Sequence, residues 1–462
     1  MGIKSDFNFT RFCEDSYLIT NYAGRYAFLK EKDFQEFCKG IPSDMAKDIL
    51  IDRLFYSEED KEVFVRKYSE AIRGYRNYLF AGTGLHIFVL TSQCNLNCIY
   101  CQASTHKSGA MMTKDIAEKC VDLALQSPDE YLSFEFQGGE PLENFDVLKH
   151  IVLYTEEHCG NKKIEFNVVS NLTLLTDEMI RFFRNHHINV STSLDGQAKI
   201  HNINRPYPGH DSHRIWKKNH LKLVDELGHG IGAIQTTTKF SLEYAEEIVD
   251  EYIANGFDRI FIRPLTPLGY AASRWNEIGY TAEEFLEFYN RALNHILNKA
   301  QNGVSISEGH AVIFLGKILN HKAGNYTELR SPCGAGLGQL AYNYDGRIYC
   351  CDEGRMMAEM GDHSFQLGTV DSEYKALFNN PVCRSLATAS CLESSPQCSD
   401  CVYSPYCGTC PVLNYYDNGN IFALKPNDYK CKIYRGMLEA IFRILHSEDK
   451  SKINILKKWC NC

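Results

Sequence analysis

Three cysteines stand close together in Thr91-Ser92-Gln93-Cys94-Asn95-Leu96-Asn97-Cys98-Ile99-Tyr100-Cys101, with three residues between the first pair and two between the second. Three thiolates on one short loop can hold three irons of a 4Fe–4S cluster. The fourth iron is then left without a protein ligand and is open to a small molecule. A structural zinc site takes four ligands, and no fourth Cys follows close by. Just upstream, the apolar run His86-Ile87-Phe88-Val89-Leu90 reads as a buried strand.

That strand needs partners, and the sequence offers them. Between residues 86 and 265, strand-like segments (86–91, 131–138, 164–170, 188–195, 231–238 and 259–265) alternate with helical ones such as 113–126, 142–158 and 176–186. Six βα units imply a parallel sheet with helices outside. A helical stretch over 281–301 is expected to close this domain. Sites on such barrels lie at the C-terminal strand ends, which puts the cysteine loop at that rim. Phe136-Gln137-Gly138-Gly139-Glu140-Pro141 ends the second strand there; two glycines let a backbone approach a ligand, and the proline stops the strand. Ser170 ends the third strand, Ser193 the fourth and Arg263 the sixth, and Arg205 follows the fourth. An Arg fork suits a carboxylate.

The cysteine loop, with Tyr100 before its last cysteine, and the Gly-Gly-Glu-Pro string resemble the radical S-adenosylmethionine (SAM) superfamily. The resemblance implies a partial (β/α)6 barrel. It implies a catalytic cluster on Cys94, Cys98 and Cys101 that chelates SAM. SAM contacts would come from Tyr100, Gly138, Gly139, Glu140, Pro141, Ser170, Ser193 and Arg205, with Arg263 facing adenine or substrate. Electrons would come from a donor such as flavodoxin or ferredoxin.

Further on, Cys333 is followed by twelve residues, Gly346, four residues and Cys351, and then by Cys398, Cys401, Cys407, Cys410 and Cys431. This order resembles the SPASM extension of radical SAM enzymes that act on peptides, which implies two auxiliary 4Fe–4S clusters. Cys398, Cys401, Cys407 and Cys431 would ligate the outer one; Cys333, Cys351 and Cys410 would ligate the inner one. Cys350, Cys383 and Cys391 compete for its fourth corner, or that corner stays open to a substrate thiolate. The sequence departs from the pattern at Cys407-Gly408-Thr409-Cys410, where two residues stand in place of the usual three. A pair of zinc ribbons is the alternative. Gly334-Ala335-Gly336-Leu337-Gly338 lacks the P-loop lysine and reads as a tight turn. Asp352, beside Cys351, either takes a proton from substrate, as in sulfatase-maturing relatives, or pairs with Arg355.

Ahead of the barrel, Ser16-Tyr17-Leu18-Ile19-Thr20 and Arg25-Tyr26-Ala27-Phe28-Leu29 flank a turn and read as a hairpin, followed by helical patterns over 31–38, 43–54 and 57–73. This is a winged-helix-like α+β layout, which in peptide-modifying enzymes captures a precursor's leader by strand addition; otherwise it packs on the barrel. The expected division is 1–82 for this module, 83–325 for the barrel, 326–445 for the SPASM extension and 446–462 for a tail. The tail cysteines Cys460 and Cys462 have no assigned role. Cys13, Cys38, Cys120 and Cys159 are expected to be buried thiols.

Composition sets the outer limits. A net charge of −9 gives no nucleic-acid footprint, and 44% hydrophobic with 23% charged residues is an ordinary globular balance. No signal peptide or myristoylation pattern opens the chain, and no apolar run reaches the roughly 18 residues of a membrane helix. A cytoplasmic location is therefore expected. Nineteen cysteines in a chain of 462 residues, clustered rather than spread, favour metal over disulfides.

Strings such as Gly84-Leu85-His86-Ile87-Phe88-Val89, Cys101-Gln102-Ala103-Ser104, Cys351-Asp352-Glu353-Gly354-Arg355 and Tyr406-Cys407-Gly408-Thr409-Cys410-Pro411 resemble the peptide maturase of the His-Xaa-Ser repeat system. That implies a ribosomal precursor peptide as substrate, beside a second radical SAM protein. Two rivals stand against it: a sulfatase-type maturase that makes formylglycine, and a non-enzymatic metal-binding or electron-transfer scaffold.

Overall fold

The computed structural model describes residues 2–103, 109–323, 327–422 and 428–461; Ser104 and Cys462, named above, lie outside them. The chain forms two compact units. One comprises Met1–Phe80, Ala311–Cys333 and Ala387–Cys462, the other Ala81–His310 and Gly334–Leu386.

In the first unit β1 (Ile3–Lys4) pairs with β5 (Tyr56–Ser57), and β2 (Asn8–Cys13), β3 (Ser16–Thr20) and β4 (Tyr26–Lys30) form an antiparallel sheet in that order. The expected hairpin is β3–β4. Its turn is fixed by Asn21, whose Oδ1 accepts from the amides of Ala23 and Arg25 at 3.1 and 3.2 Å. Helices Glu31–Cys38, Asp44–Asp52 and Lys61–Tyr75 follow, the second and third capped by Ser43 and Asp60. Ile19, Leu29, Phe34, Phe37, Leu50 and Phe55 make their common core. Phe12, Tyr26 and Phe28 pack on helix Tyr429–His446, whose Phe442 and His446 meet their rings edge-on.

The second unit holds a ten-stranded sheet. β6 (Leu85–Val89), β7 (Tyr131–Gln137), β8 (Lys163–Ser170), β9 (Asn189–Ser193), β10 (Gly232–Thr236) and β11 (Arg259–Arg263) are parallel and lie in sequence order, as expected. A short β12 (Ser307–Glu308) continues beyond β11. At the other edge β13 (Gln339–Tyr342) pairs in parallel with β6, followed by antiparallel β14 (Arg347–Tyr349) and β15 (Gln366–Thr369). Three cap threonines, Thr113, Thr176 and Thr281, start helices Lys114–Ala124, Asp177–Asn185 and Ala282–Gln301.

The parallel strands alternate. Leu132, Phe134 and Phe136 of β7 are buried, as are Phe166 and Val168 of β8, while Ser133, Glu135, Gln137 and Asn167 are only half-buried and Glu165 is exposed. Strands buried on both faces usually read as continuous apolar runs; here one face is kept polar. Asn167 bonds Ser133 Oγ at 2.9 Å, and Asn189 bonds Glu165 and Asn167. Among the described residues no helix is long and apolar enough to cross a membrane.

Candidate active site

A pocket of about 220 Å³ opens at the C-terminal strand ends. Cys94, Cys98 and Cys101 line it together with Tyr100, Gly138, Gly139, Glu140, Ser170, Ser193, Arg205 and Arg263. Pro141 does not line it; it begins the 3-10 turn Pro141–Asn144, which delays the helix to Phe145–His158. Asn171, Thr236 and Met356 also line the pocket and were not expected there.

The cysteine loop is clamped from both sides. Gly139 and Glu140 donate their amides to the carbonyls of Thr91 and Gln93 at 2.9 and 2.8 Å. A Cβ on Gly139 would lie 1.9 Å from Gln93 O, and one on Gly138 2.4 Å from Thr91 O. The close approach seen at these two glycines is therefore to the cysteine loop itself. On the other flank Asn97 and Ile99 donate to Pro206 O and Asn204 O at 2.9 and 3.0 Å. Tyr270 donates to Cys101 O at 2.8 Å, past Gly269 at φ +58°.

Asp195, missed in the sequence, organises the rim. It is fully buried; Oδ2 accepts from Tyr100 Oη at 2.7 Å and Arg205 Nε at 3.0 Å, and Oδ1 from the Thr236 amide at 3.1 Å. The Arg205 guanidinium lies 5.3 Å from the Tyr100 ring centroid, and its Nη1 reaches Cys98 Sγ at 4.0 Å. Burial works against the charge of Arg205, but Asp195, Tyr100 and Cys98 together raise its pKa above the ordinary range. The only sequence sign of Asp195 was an acid at a strand end ten positions before an arginine.

Glu140 is equally enclosed. Oε1 accepts from Ser170 Oγ at 2.7 Å and the Leu142 amide at 3.1 Å, and Oε2 from the Asn171 amide at 2.8 Å. Burial pushes its carboxyl up to about 7 against the pull of these donors. Ser170 thus spends its proton on Glu140. Burial, then Cys98 and Glu140, raise the Cys94 thiol; burial pushes Cys98 up to about 12, against Arg205. Such thiols must lose protons to take metal. Three mutually close thiols and a buried cation fit an anionic iron–sulfur cluster. Among the described residues no three His, Cys, Asp or Glu side chains are placed to hold one metal ion; a cubane asks less convergence, since each thiolate takes its own iron.

Asp352 pairs with buried Arg355, whose Nε and Nη2 reach its Oδ1 at 3.1 and 2.6 Å. In the same unit Cys350 and Cys351 are buried with sulfurs 3.5 Å apart. Cys383 is buried against Gly336, where a Cβ would come within 2.6 Å of its sulfur. In the other unit the turns 398–401, 401–404 and 404–407 follow one another through Cys398, Cys401 and Cys407. Cys410 precedes helix Pro411–Asn418, and Cys431 lies in the first turn of Tyr429–His446. Cys333 donates its amide to Ser390 Oγ, and Cys391 Sγ approaches Glu393 at 3.3 Å. Of the thiols expected to be buried, only Cys120 is. Cys38, ending its helix, is exposed, and Cys13 and Cys159 at element ends are intermediate.

A family model described as the Radical SAM superfamily matches residues 88–227. An uncharacterised protein of Methanocaldococcus jannaschii is 31% identical over 266 residues, 57% of this chain and 83% of that protein. A cysteine-type anaerobic sulfatase-maturating enzyme of Clostridium perfringens is 25% identical over 366 residues, 76% of this chain and 94% of that one. Among solved structures, native anSMEcpe with bound AdoMet and Cp18Cys peptide superposes with a TM-score of 0.68 at 21% identity, covering 81% of this chain and 99% of its own. Streptococcus suis SuiB bound to precursor peptide SuiA gives 0.57 at 16% identity, over 93% of this chain and all of that one. The chain belongs to the radical SAM superfamily, as an iron–sulfur, SAM-binding enzyme of the type that includes sulfatase-maturating and peptide-modifying members.

Proposed function

We propose that this chain modifies a ribosomally made precursor peptide by hydrogen abstraction, leaving a cross-link or an oxidised side chain or α-carbon. The observation that carries this is the convergence of Cys94, Cys98 and Cys101 with Gly138–Glu140, Ser193 and Arg205 in one pocket at the strand ends. When bound, the cluster and SAM supply a 5′-deoxyadenosyl radical by one-electron cleavage. The three thiolates hold the iron. Asp195 and Tyr100 orient the Arg205 fork toward a carboxylate. Glu140 and the glycine carbonyls receive an ammonium, and Ser170 acts through its bond to Glu140 rather than as a free hydroxyl. Arg263 and the half-buried polar face of the sheet meet adenine or the peptide.

The auxiliary cysteines are assigned to two further 4Fe–4S clusters that move electrons or anchor substrate, with Cys398, Cys401, Cys407 and Cys431 around the outer one. The N-terminal module is assigned to leader capture. Support comes from the comparison with SuiB bound to precursor peptide SuiA, which spans 93% of the chain. The His-Xaa-Ser subfamily, the flavodoxin- or ferredoxin-type donor and a second radical SAM protein belong to the same reading.

Formylglycine formation is the second reading, favoured by the similarity to the Clostridium perfringens maturase. Against it, the Asp352 carboxylate that would serve as the base is already paired with Arg355. Anaerobic reconstitution with reductant and SAM tests both. The expected results are 5′-deoxyadenosine release and loss of two hydrogens from a His-x-Ser precursor peptide. An aldehyde on a sulfatase peptide, with that precursor unchanged, would replace the first reading by the second.

A further inference from the structure

Lys317, in the last turn of helix Gly309–Ile318, is 1% exposed. Its Nζ donates to the carbonyl of Tyr406 at 3.1 Å, one residue before Cys407. Among the described residues it pairs with no carboxylate. Burial opposes its charge most; the Cys407 side chain favours the charge and Arg330 opposes it. Arg330 is itself buried, its guanidinium 4.8 Å from the Tyr78 ring centroid. Its segment runs directly over Gly408, where a Cβ would meet Glu328 O at 2.4 Å and Arg330 N at 2.8 Å. The Glu328 carboxylate turns instead to Lys430, 3.4 Å away. A cation is therefore enclosed beside Cys407 with a single carbonyl as its partner among the described residues.

A buried ammonium costs several kcal/mol unless an anion meets it. A 4Fe–4S cluster on four thiolates is such an anion, and charge beside a cluster shifts its potential. We propose that Lys317 is the fixed counter-charge of the cluster held by Cys398, Cys401, Cys407 and Cys431, raising that cluster's reduction potential and helping to retain it. The inference rests on the auxiliary-cluster assignment above. It makes Lys317 a tuning residue that touches neither SAM nor peptide.

The test uses the full chain with Cys94, Cys98 and Cys101 replaced by Ala, so that only auxiliary clusters contribute. Iron and sulfide content is measured first, then midpoint potentials by redox titration followed by electron paramagnetic resonance. Iron absent from this chain would sink the auxiliary-cluster assignment itself, and the inference with it. With iron present, Lys317→Met is expected to lower one midpoint by at least about 59 mV, tenfold in the one-electron equilibrium. Lys317→Arg should stay near the parent. An unchanged midpoint in a fully loaded Lys317→Met chain would overturn the counter-charge role. Where Lys317→Met also costs iron, retention of iron by Lys317→Arg supports the role, and equal loss from both overturns it.

Discussion

Arg205 and Lys317 are both buried cations, and the protein treats them differently. Arg205 meets the carboxylate of Asp195, stacks on Tyr100 and faces the thiol of Cys98. Lys317 meets one backbone carbonyl and a thiol. The barrel rim is thus electrostatically complete before any ligand arrives, as a site that must orient a cofactor requires. The surroundings of Lys317 are complete only when something anionic is held by the cysteines nearby. One unit presents a preorganised pocket; the other couples its stability to what it binds.

The sharpest way to break this comparison is to remove one thiol from each region. Cys98→Ala is expected to abolish 5′-deoxyadenosine release, down to the protein-free background. Cys407→Ala should leave SAM cleavage measurable while lowering iron content. Cleavage that survives the first change, or iron unchanged by the second, would merge the two regions' roles. Next comes Asp195→Asn. It strands the Arg205 charge in a buried site and weakens the bond to Tyr100, a loss of about 3–5 kcal/mol for a broken buried pair. Urea unfolding of the cofactor-free chain reads it, and a loss below about 1 kcal/mol would mean that Arg205 has other support.

Much of the barrel was readable before the structure. The alternation in Tyr131-Leu132-Ser133-Phe134-Glu135-Phe136-Gln137 marks a strand with one buried apolar face and one more open polar face. The motif glycines ended that strand where expected, although the contact that demands them is the backbone at Gln93 rather than a ligand. Asp195 was not readable, because its role is defined only once Tyr100, Arg205 and Thr236 converge on it from distant segments. Strands β13 to β15 were missed for another reason. They are short, they sit among cysteines and glycines that read as a metal-binding turn, and a run as brief as Arg347–Tyr349 carries no period. The edge strand β2 was hidden by its polar content, Asn8, Thr10 and Arg11. The cysteine order in the C-terminal region carried ligand expectations but no geometry, so Lys317 could not be placed beside Cys407 from sequence.

Acid sharpens the picture of the barrel unit. His86 is fully buried, between Tyr342 Oη at 2.9 Å and the carbonyl of Thr83 at 3.1 Å. Burial lowers its pKa to about 3, against an ordinary 6.5. The folded value lies below the unfolded one, so the full contribution is present above pH 6.5. It is lost as pH falls toward 3, because the unfolded chain gains the proton first. The expected slope is up to about 1.4 kcal/mol per pH unit in that window. His86→Gln should flatten it, as read by thermal unfolding between pH 4 and 7; an unchanged slope would place the acid sensitivity elsewhere.

The smallest effect expected is also the one that separates the two cations by sign. In the cofactor-free chain Lys317 is buried beside Cys407 and, among the described residues, pairs with no carboxylate. Replacing such a charge by an apolar side chain of similar length removes its desolvation cost and is expected to be neutral or stabilising. Lys317→Met should therefore raise the urea midpoint of the cofactor-free chain, where Asp195→Asn lowers it. Loading the chain with iron and sulfide should shrink or reverse the gain, since the parent ammonium then has an anion to meet. A Met variant less stable than the parent without metal would show that the protein itself already balances Lys317, and the contrast with Arg205 would disappear.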